Sequence, residues 1–507
     1  MFITYDEKNG VEYAKINISK RVNGKVKKSY TNLGRVIDKQ RGIYQNRERG
    51  VFMYDERTDT YSSAPANVVP ATTHKEQLIL DFGDVFFIDK YIKTTGLDKA
   101  IDAIGYGNPD TLYSMLCYYI LCGMANCHAE DWWFGSYASI VYPKADLRSQ
   151  RISDFLSSIG DEYSERGFFK EYSNLLKGKD IDLSSILIDS TGLPNSIHFP
   201  LTAINNHNGK ISNEVRLIFI VQQETGLPIY FRYCPGNVID VSTVLTSIAE
   251  LKAQGINTKF AILDAGYYTG KNIDAFYDNG VSFITRLKEN LTLYKKLIDE
   301  NASSLAAKEN LVSYNGRYVY IKSVPCKIEG HNAHAYVCLD VQHRSDENRK
   351  VMERASSKNM STSEVYDEMN RQGYFVLVSS RRIACEKVLP LYYTRQQIEQ
   401  VFDIGKNYAD LLPLRVQNEN TFRGHLLLTF IATTVIKLIQ DELKSTSITP
   451  DSMFLNLRNQ KCKVYVRKIV PQEAFKKVND CYKIFKVTCP VTIPRQGIVG
   501  RKSTREL

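Results

Sequence analysis

Two short apolar runs, each followed at once by an aspartate, constrain the fold of this chain more than any other feature. The first run, residues 186–188, leads into Asp189, and the second, residues 260–263, leads into Asp264. Apolar runs of this length, bounded by turn residues, are typical of buried β-strands. Parallel neighbouring strands present their carboxyl ends along one edge of a sheet, so the two aspartates can converge on one point and share a metal ion. A carboxylate at a strand end is as often a helix cap as a ligand, so the pair needs further support.

The segments around these aspartates predict a mixed α/β sheet. They read as three strands, a helix, a strand, a helix and a strand, at residues 186–188, 215–222, 228–233, 241–253, 260–263, 271–279 and 281–285. This is the ribonuclease-H-like order of elements. We therefore expect a ribonuclease-H-like catalytic domain over residues 181–290 and 374–445, interrupted by a β-rich insertion at residues 291–373. Within its second part, the pattern predicts a helix from about Pro390 and an apolar helix at residues 426–439.

The sequence before this domain changes character twice. Residues 11–37 are rich in strand-forming residues on both sides of Asn23-Gly24, the strongest short hairpin signal, which predicts a basic β-rich region over residues 1–70. A stretch rich in Pro, Ala, Thr and Ser, residues 62–73, is typical of a linker. Residues 75–180 then carry apolar side chains at helical spacing, which predicts an all-helical module.

The positive charge of the chain is concentrated near its C-terminal end. A length of 507 residues exceeds what one hydrophobic core supports, and the formal net charge is +10. Residues 458–507 alone hold 13 basic and three acidic side chains, so residues 446–507 form a basic region that either meets a polyanion such as nucleic acid or is simply solvated. No segment has the pattern of a signal peptide or a membrane span, so no membrane partner is expected.

The helix near residue 390 carries a third candidate acid. At about 100° per residue, Tyr392, Arg395, Glu399 and Lys406 would lie within roughly a 60° arc of its surface. Apolar residues would occupy the adjoining sector, so the helix would pack by one face and present a carboxylate between cations. A plain surface pair of Arg395 and Glu399 would give the same pattern. Asp403, one turn beyond Glu399, is the alternative carboxylate.

The spacing Tyr-x2-Arg-x3-Glu-x6-Lys resembles the signature of a large group of bacterial insertion-sequence transposases with an Asp-Asp-Glu mechanism. Tyr392, Arg395, Glu399 and Lys406 match this signature position for position. Further stretches are similar to the same group, namely Asp264 to Tyr267, Phe283 to Lys288 and Arg423 to His425. The resemblance spans roughly residues 180–440, and the group's β-rich insertion between the second Asp and the Glu matches the gap that separates Asp264 from Glu399.

The resemblance implies a metal-dependent DNA transposase. Asp189, Asp264 and Glu399 would be its catalytic residues and would bind two Mg²⁺ ions, with Mn²⁺ as a substitute, because hard cations prefer oxygen ligands. Such a site hydrolyses a phosphodiester at the transposon end and then uses the freed 3′-OH to attack target DNA.

The resemblance also assigns three side chains of the helix to DNA at the transposon end: Tyr392, Arg395 and Lys406. Cations beside a phosphate neutralise its charge, and a tyrosine can donate to its oxygens. Three lysines near the turn of the N-terminal hairpin could grip a phosphate backbone, or could only keep an edge strand soluble: Lys25, Lys27 and Lys28.

Double-stranded DNA, as element end and as target, is the expected partner, together with a second copy of the chain in a synaptic homodimer. The hairpin and the helical module would help to bind the ends, and the protein would act in the bacterial cytoplasm, associated with the nucleoid when bound to DNA. Two alternatives remain open: a catalytically silent DNA-binding regulator derived from a transposase, and a ribonuclease-H-like metal-dependent nuclease. The three carboxylates argue against the first alternative, and the Tyr, Arg and Lys positions argue against the second.

Overall fold

The computed structural model describes residues 2–8, 11–22, 25–65, 78–195, 202–207, 210–237, 241–357, 360–409, 411–414, 416–465 and 468–495. The chain forms two compact units. The first unit consists of Met1–Phe82, Gln460–Phe475 and Thr488–Leu507, and the second of Gly83–Asn459 and Lys476–Val487. Each unit is therefore assembled from stretches that are far apart in the sequence.

The first unit contains two antiparallel sheets. Six strands pair in chain order: β1 (Phe2–Lys8), β2 (Val11–Val22), β3 (Lys25–Asp38), β4 (Ile43–Asn46), β5 (Gly50–Asp55) and β6 (Thr60–Ser63). Alternate side chains of this sheet bury a small apolar core, made by Ala14, Ile16, Leu33, Tyr44, Phe52 and Tyr54. The second sheet has four strands, in the spatial order β20 (Ile493–Pro494), β19 (Lys468–Pro471), β18 (Lys461–Val464) and β7 (Leu78–Asp81).

The predicted N-terminal hairpin is formed by β2 and β3. These strands pair antiparallel from Val22 opposite Lys25 to Tyr13 opposite Arg35. The turn Asn23-Gly24 and the side chains of Lys25 and Lys27 lie outside the described residues, as do residues 66–77, which include residues 66–73 of the predicted linker, and residues 496–507.

The second unit begins with seven helices in the stretch where the apolar spacing predicts them. They are α1 (Gly83–Thr95), α2 (Leu97–Asp102), α3 (Pro109–Leu121), α4 (Ala129–Gly135), α5 (Ala138–Val141), α6 (Ser149–Ile159) and α7 (Glu162–Gly178). Side-chain caps fix the start of two of them. Asn108 accepts a hydrogen bond from the Thr111 N–H before α3, and Asp161 accepts one from the Ser164 N–H before α7.

A mixed sheet follows, as predicted. Its first elements are β8 (Ser185–Pro194), β9 (Ala203–His207), β10 (Lys210–Gln222), β11 (Pro228–Pro235), α8 (Val241–Ala253), β12 (Phe260–Leu263), α9 (Gly270–Asp278) and β13 (Ser282–Arg286). The strands lie in the order β11, β10, β8, β12, β13, with β12 parallel to both β8 and β13 and the other pairs antiparallel. The short strand β9, which pairs with β10, was not predicted.

The strands of the insertion continue this sheet. The segment contains α10 (Thr292–Leu305), β14 (Leu311–Tyr314), β15 (Arg317–Ile328), β16 (His331–Asp340), α11 (Val341–Ser357) and α12 (Thr362–Arg371), and is followed by β17 (Tyr374–Ser379). Strand β17 pairs with β13 on one side and with β16 on the other. The order β13, β17, β16, β15, β14 therefore extends the central sheet, whereas the insertion was predicted to form a separate subdomain.

The single helix predicted from about Pro390 is two helices, α13 (Cys385–Tyr393) and α14 (Gln396–Asn407). The former starts before Pro390 and contains it. At the junction, the Thr394 hydroxyl donates to the Leu391 carbonyl at 2.7 Å, and the Arg395 N–H donates to the Tyr392 carbonyl three residues back. The backbone bonds at this junction span three residues, as in a 3₁₀ turn, in place of the four residues of an α-helix.

The last helices are α15 (Glu419–Leu443), α16 (Pro450–Arg458) and α17 (Lys476–Ile484). By length and composition α15 could cross a membrane, but 89% of its most apolar window is buried inside the protein, as in a core helix. Phe430 of α15 stands edge-on to Phe169 of α7 and to Phe219 of β10. This aromatic cluster attaches the helices to the sheet from which the candidate site projects.

Candidate active site

Asp189 and Asp264 stand level on neighbouring parallel strands. Leu263 lies opposite Ile188 in the pairing of β12 with β8, and the residue that follows each of them is an aspartate. Asp264 follows the last residue of β12, as predicted. The first strand does not end at Asp189, because β10 pairs with β8 as far as Pro194.

Arg395 contacts all three predicted acids. Its Nη2 atom lies 3.2 Å from Asp189 Oδ2 and 3.4 Å from Glu399 Oε1, and its Nη1 atom lies 3.1 Å from Asp264 Oδ1. The arginine side chain is 20% exposed, so water screens these pairs less than pairs on an open surface. A guanidinium is planar and presents several donors at once, which suits it to joining carboxylates from two strands and a helix.

Burial has the largest effect on the pKa of Asp189. Its side chain is 14% exposed, and desolvation raises the pKa of the carboxyl from 3.8 to about 6. Arg395 and the Ser190 N–H lower this pKa, whereas the nearby Asp264 raises it. For Arg395 itself, burial lowers the pKa, but the carboxylates of Asp189 and Asp264 outweigh burial and raise the pKa above its ordinary value.

Glu399 is the most exposed of the three acids, with 59% of its side chain accessible. It lies in the first turn of α14, where the positive end of the helix dipole favours a carboxylate. Asp403, the alternative acid, makes a hydrogen bond with Asn407 on the same helix. Within the described residues, Arg395 pairs with Glu399 and not with Asp403, which favours Glu399 as the third member of the site.

The apolar face of α14 fixes the position of Glu399. Ile398 and Val401 are fully buried, and the ring of Phe402 stacks on Phe219 of β10 with centroids 5.3 Å apart. Phe219 is paired with Asp189 in the sheet, so the stack lies beside the aspartate. The predicted amphipathic character of the helix is therefore present, and the packing of its apolar face holds the adjoining sector, which carries Arg395 and Glu399, beside the aspartates.

The other two signature residues flank the acids. Tyr392 is 4% exposed, and burial raises the pKa of its phenol, which also hydrogen-bonds to Arg395. The Lys406 ammonium donates to Thr191 Oγ1 at 2.5 Å, and burial lowers the pKa of this lysine. The helical wheel placed Tyr392 on an exposed stripe. The break between α13 and α14 instead leaves it within the packed interior.

Sequence reasoning missed two residues around Lys406. Thr191 anchors the ammonium, and Glu214, a buried acid on β10, contributes to its electrostatic surroundings. A β-carbon on Gly192 would lie 2.5 Å from the Glu214 carboxylate, so the glycine lets that side chain approach β8. The sequence Asp-Ser-Thr-Gly contains the Thr and the Gly, but nothing local in it indicates their partners.

The three carboxylates suit a hard divalent cation. In this structure they contact Arg395 and not each other. Across the part of the chain that the structure describes, no group of three His, Cys, Asp or Glu side chains is close enough to hold a metal ion. All three donors that surround the guanidinium are carboxylates, the ligands that Mg²⁺ and Mn²⁺ prefer. The residues therefore fit such an ion by chemistry, provided that Arg395 releases their oxygens.

Comparison with known families agrees with this geometry. The family described as Transposase DDE domain matches residues 181–435, which is half of the chain and includes β8, β12 and α14. The chain belongs to this transposase family. Its match begins four residues before β8 and ends within α15, so the transposase domain includes all three acids and the insertion between them.

One similarity to a solved structure is distant. A solved structure, the piggyBac transposase synaptic complex with hairpin DNA, shares 11% sequence identity at a TM-score of 0.39 and covers 74% of this chain and 79% of its own. This likeness is too distant to carry an assignment. No curated protein matches the sequence.

Proposed function

We propose that this protein is an active DNA transposase that cuts and joins DNA with divalent metal ions held by Asp189, Asp264 and Glu399. The single observation that carries the proposal is the convergence of these three acids on Arg395, within 3.1 to 3.4 Å. Three carboxylates from three separate elements, gathered around one cation, form a site for positive charge. A ribonuclease-H-like domain is the fold that the proposal requires, and the strand order of the second unit is compatible with it.

The three acids would hold two Mg²⁺ ions, for which Mn²⁺ would substitute. Bound there, the ions would activate a nucleophile and stabilise the leaving 3′ oxygen of a phosphodiester. Arg395 would exchange one or more carboxylates for a phosphate oxygen of the DNA, because a guanidinium binds both kinds of oxygen with similar geometry. Tyr392 and Lys406 would donate hydrogen bonds to phosphate oxygens of the DNA backbone.

The same proposal includes the partners. The substrate would be double-stranded DNA, first at the ends of the element and then at the target, and two copies of the chain would hold two ends together. Lys28, exposed on the first unit, and its neighbours Lys25 and Lys27 would add phosphate contacts. We place the protein in a bacterial cytoplasm, at the nucleoid when it is bound to DNA.

Strand breaks on a DNA fragment that carries the element's own end test this proposal. Purified protein should cut at the boundary of the element when Mn²⁺ or Mg²⁺ is present and should not cut in EDTA. Glu399→Gln should abolish cutting, while Asp403→Asn, the same change one turn along the same helix, should leave it intact. Binding without cutting by the wild-type protein would instead indicate a silent regulator.

A further inference from the structure

A basic groove lies on the second unit, away from the three acids. We use this name for a cavity of about 660 Å³ whose lining includes Arg381, Arg382, Lys387, Gln223 and Thr394. The three cationic side chains are exposed, and no acidic residue lines the cavity. In the part of the chain that the structure describes, none of these three cations forms an ion pair, so their charge is available to a ligand.

The backbone that carries the two arginines is held firmly. The Arg381 N–H donates to Ser379 Oγ, and the Ile383 N–H donates to the Tyr336 hydroxyl. The Arg381 guanidinium lies 3.8 Å from the centroid of the buried Phe260 ring. A cation fixed over an aromatic ring loses little further conformational freedom when it binds an anion.

The groove is on the same face of the sheet as the acids. Phe260 begins β12 and Asp264 directly follows its last residue in extended backbone, so the two side chains, four positions apart, point to one face. At ~3.3 Å per residue, the arginine over Phe260 lies on the order of 13 Å from Asp264. The other end of the groove is lined by Thr394, whose neighbour in the chain is Arg395.

We propose that the basic groove binds the phosphate backbone of the DNA that flanks the cut site. The inference rests on the proposed function, because the cut phosphate must lie at the three acids. Each strand of a duplex carries one charge per ~3.4 Å along the helix axis, so a distance on the order of 13 Å corresponds to about four base pairs. The groove would therefore position DNA about four base pairs from the reaction, without reading its sequence.

The salt dependence of DNA binding tests the proposal. The triple variant Arg381→Gln/Arg382→Gln/Lys387→Gln is compared with the wild-type protein on a duplex that spans the element end with both flanks, in EDTA. Neutralising about three phosphate contacts should reduce the slope of log K against log salt by about two to three. A matched control removes three exposed lysines elsewhere on the second unit, Lys308→Gln/Lys327→Gln/Lys350→Gln, and should change the slope by less than one.

Shortening the duplex locates the contact. Removing about six base pairs from the flank that the groove contacts should weaken binding by the wild-type protein about tenfold or more and should hardly affect the triple variant. The double variant Arg382→Gln/Lys387→Gln, which keeps Arg381 on Phe260, should behave in the same way and guards against misfolding.

A triple variant with the wild-type slope and the wild-type response to shortening would overturn the proposal. A groove that binds an acidic protein segment in place of DNA would give this result. Because these measurements are made in EDTA, their outcome is separate from cleavage. Absence of cutting by the wild-type protein with Mn²⁺ would reject the proposed function, whether or not the groove binds DNA.

Discussion

At the scale of single residues, burying the Asp189 carboxylate beside Arg395 lowers the stability of the folded protein. Asp189 is a carboxyl that burial destabilises in its charged form, and Arg395 offsets only part of that cost. A carboxyl whose pKa burial shifts in this way, beside a charged partner, is typical of a functional site.

Asp189→Asn should stabilise the protein at neutral pH. The folded-state pKa of about 6 lies above the usual 3.8, so this carboxyl favours folding while protonated, and its contribution is lost as the pH rises between these values. At pH 7 the amide should therefore raise the free energy of unfolding by on the order of 2 kcal/mol, with little effect at pH 3.5. Urea unfolding at both pH values without divalent cations measures this, with Asp403→Asn as the control. Equal stability of Asp189→Asn and wild type at pH 7 would contradict it.

Arg395→Gln should bind Mn²⁺ more tightly than the wild-type protein when DNA is absent. The guanidinium contacts one oxygen of each acid, so it competes with a metal ion for the same donors. Removing these charge-assisted contacts should improve the apparent affinity about tenfold, while cleavage of DNA is lost.

Titration of Mn²⁺ by electron paramagnetic resonance measures this affinity. Arg381→Gln, which removes an equal charge away from the acids, should leave it unchanged, and Glu399→Gln should weaken it. An affinity of Arg395→Gln equal to or below that of the wild type would show that the arginine does not compete.

At the scale of elements, the close crossing of α6 and α15 fixes the helices around the sheet. Gly160, at the end of α6, lies against the Asn420 carbonyl, and Gly424 of α15 lies against the Leu156 carbonyl. A β-carbon at either glycine would collide with backbone that cannot move aside. Helix α15 in turn packs against α14, so this crossing supports the helix that carries Glu399.

Gly424→Ala should therefore destabilise the protein strongly. The new methyl group would meet the Leu156 carbonyl oxygen inside a packed helix interface, a steric conflict that we expect to cost about 3 kcal/mol. The matched change Gly178→Ala, at the end of α7 where nothing lies within 4 Å of the new β-carbon, should alter stability by less than about 1 kcal/mol. Thermal unfolding of both variants gives the comparison, and similar melting temperatures would contradict the packing argument.

At the scale of the whole molecule, segments near the C-terminal end of the described chain complete both units. Strand β18 pairs with β7 in the first unit, and Lys461 forms an ion pair with Asp81 there. In the second unit, Tyr482 of α17 stands edge-on to Phe86 of α1. The C-terminal basic region that the sequence marks as a possible polyanion contact therefore also contributes to folding.

Two truncations separate these roles. Ending the chain after Asn459 removes β18, β19, β20 and α17, which leaves β7 as an unpaired edge, and should give aggregated protein without a cooperative transition. Ending it after Arg495 keeps every described element and should preserve the melting temperature. Loss of the three basic residues beyond that point should reduce the salt slope of DNA binding by up to about three. A folded protein ending at Asn459 would contradict the structural role.

The sequence by itself determined the mixed sheet, most of its strands and helices, and the identity of three acids with their neighbouring cations. These features depend on local periodicity and spacing, which adjacent residues specify. The tertiary structure decided what depends on distant partners: that β8 continues past Asp189 because β10 covers it, and that the insertion extends the sheet through β17. It also decided that Arg395, four positions from Glu399 in the sequence, reaches two aspartates on other elements, because a contact across the fold is set by packing and leaves no local pattern in the chain.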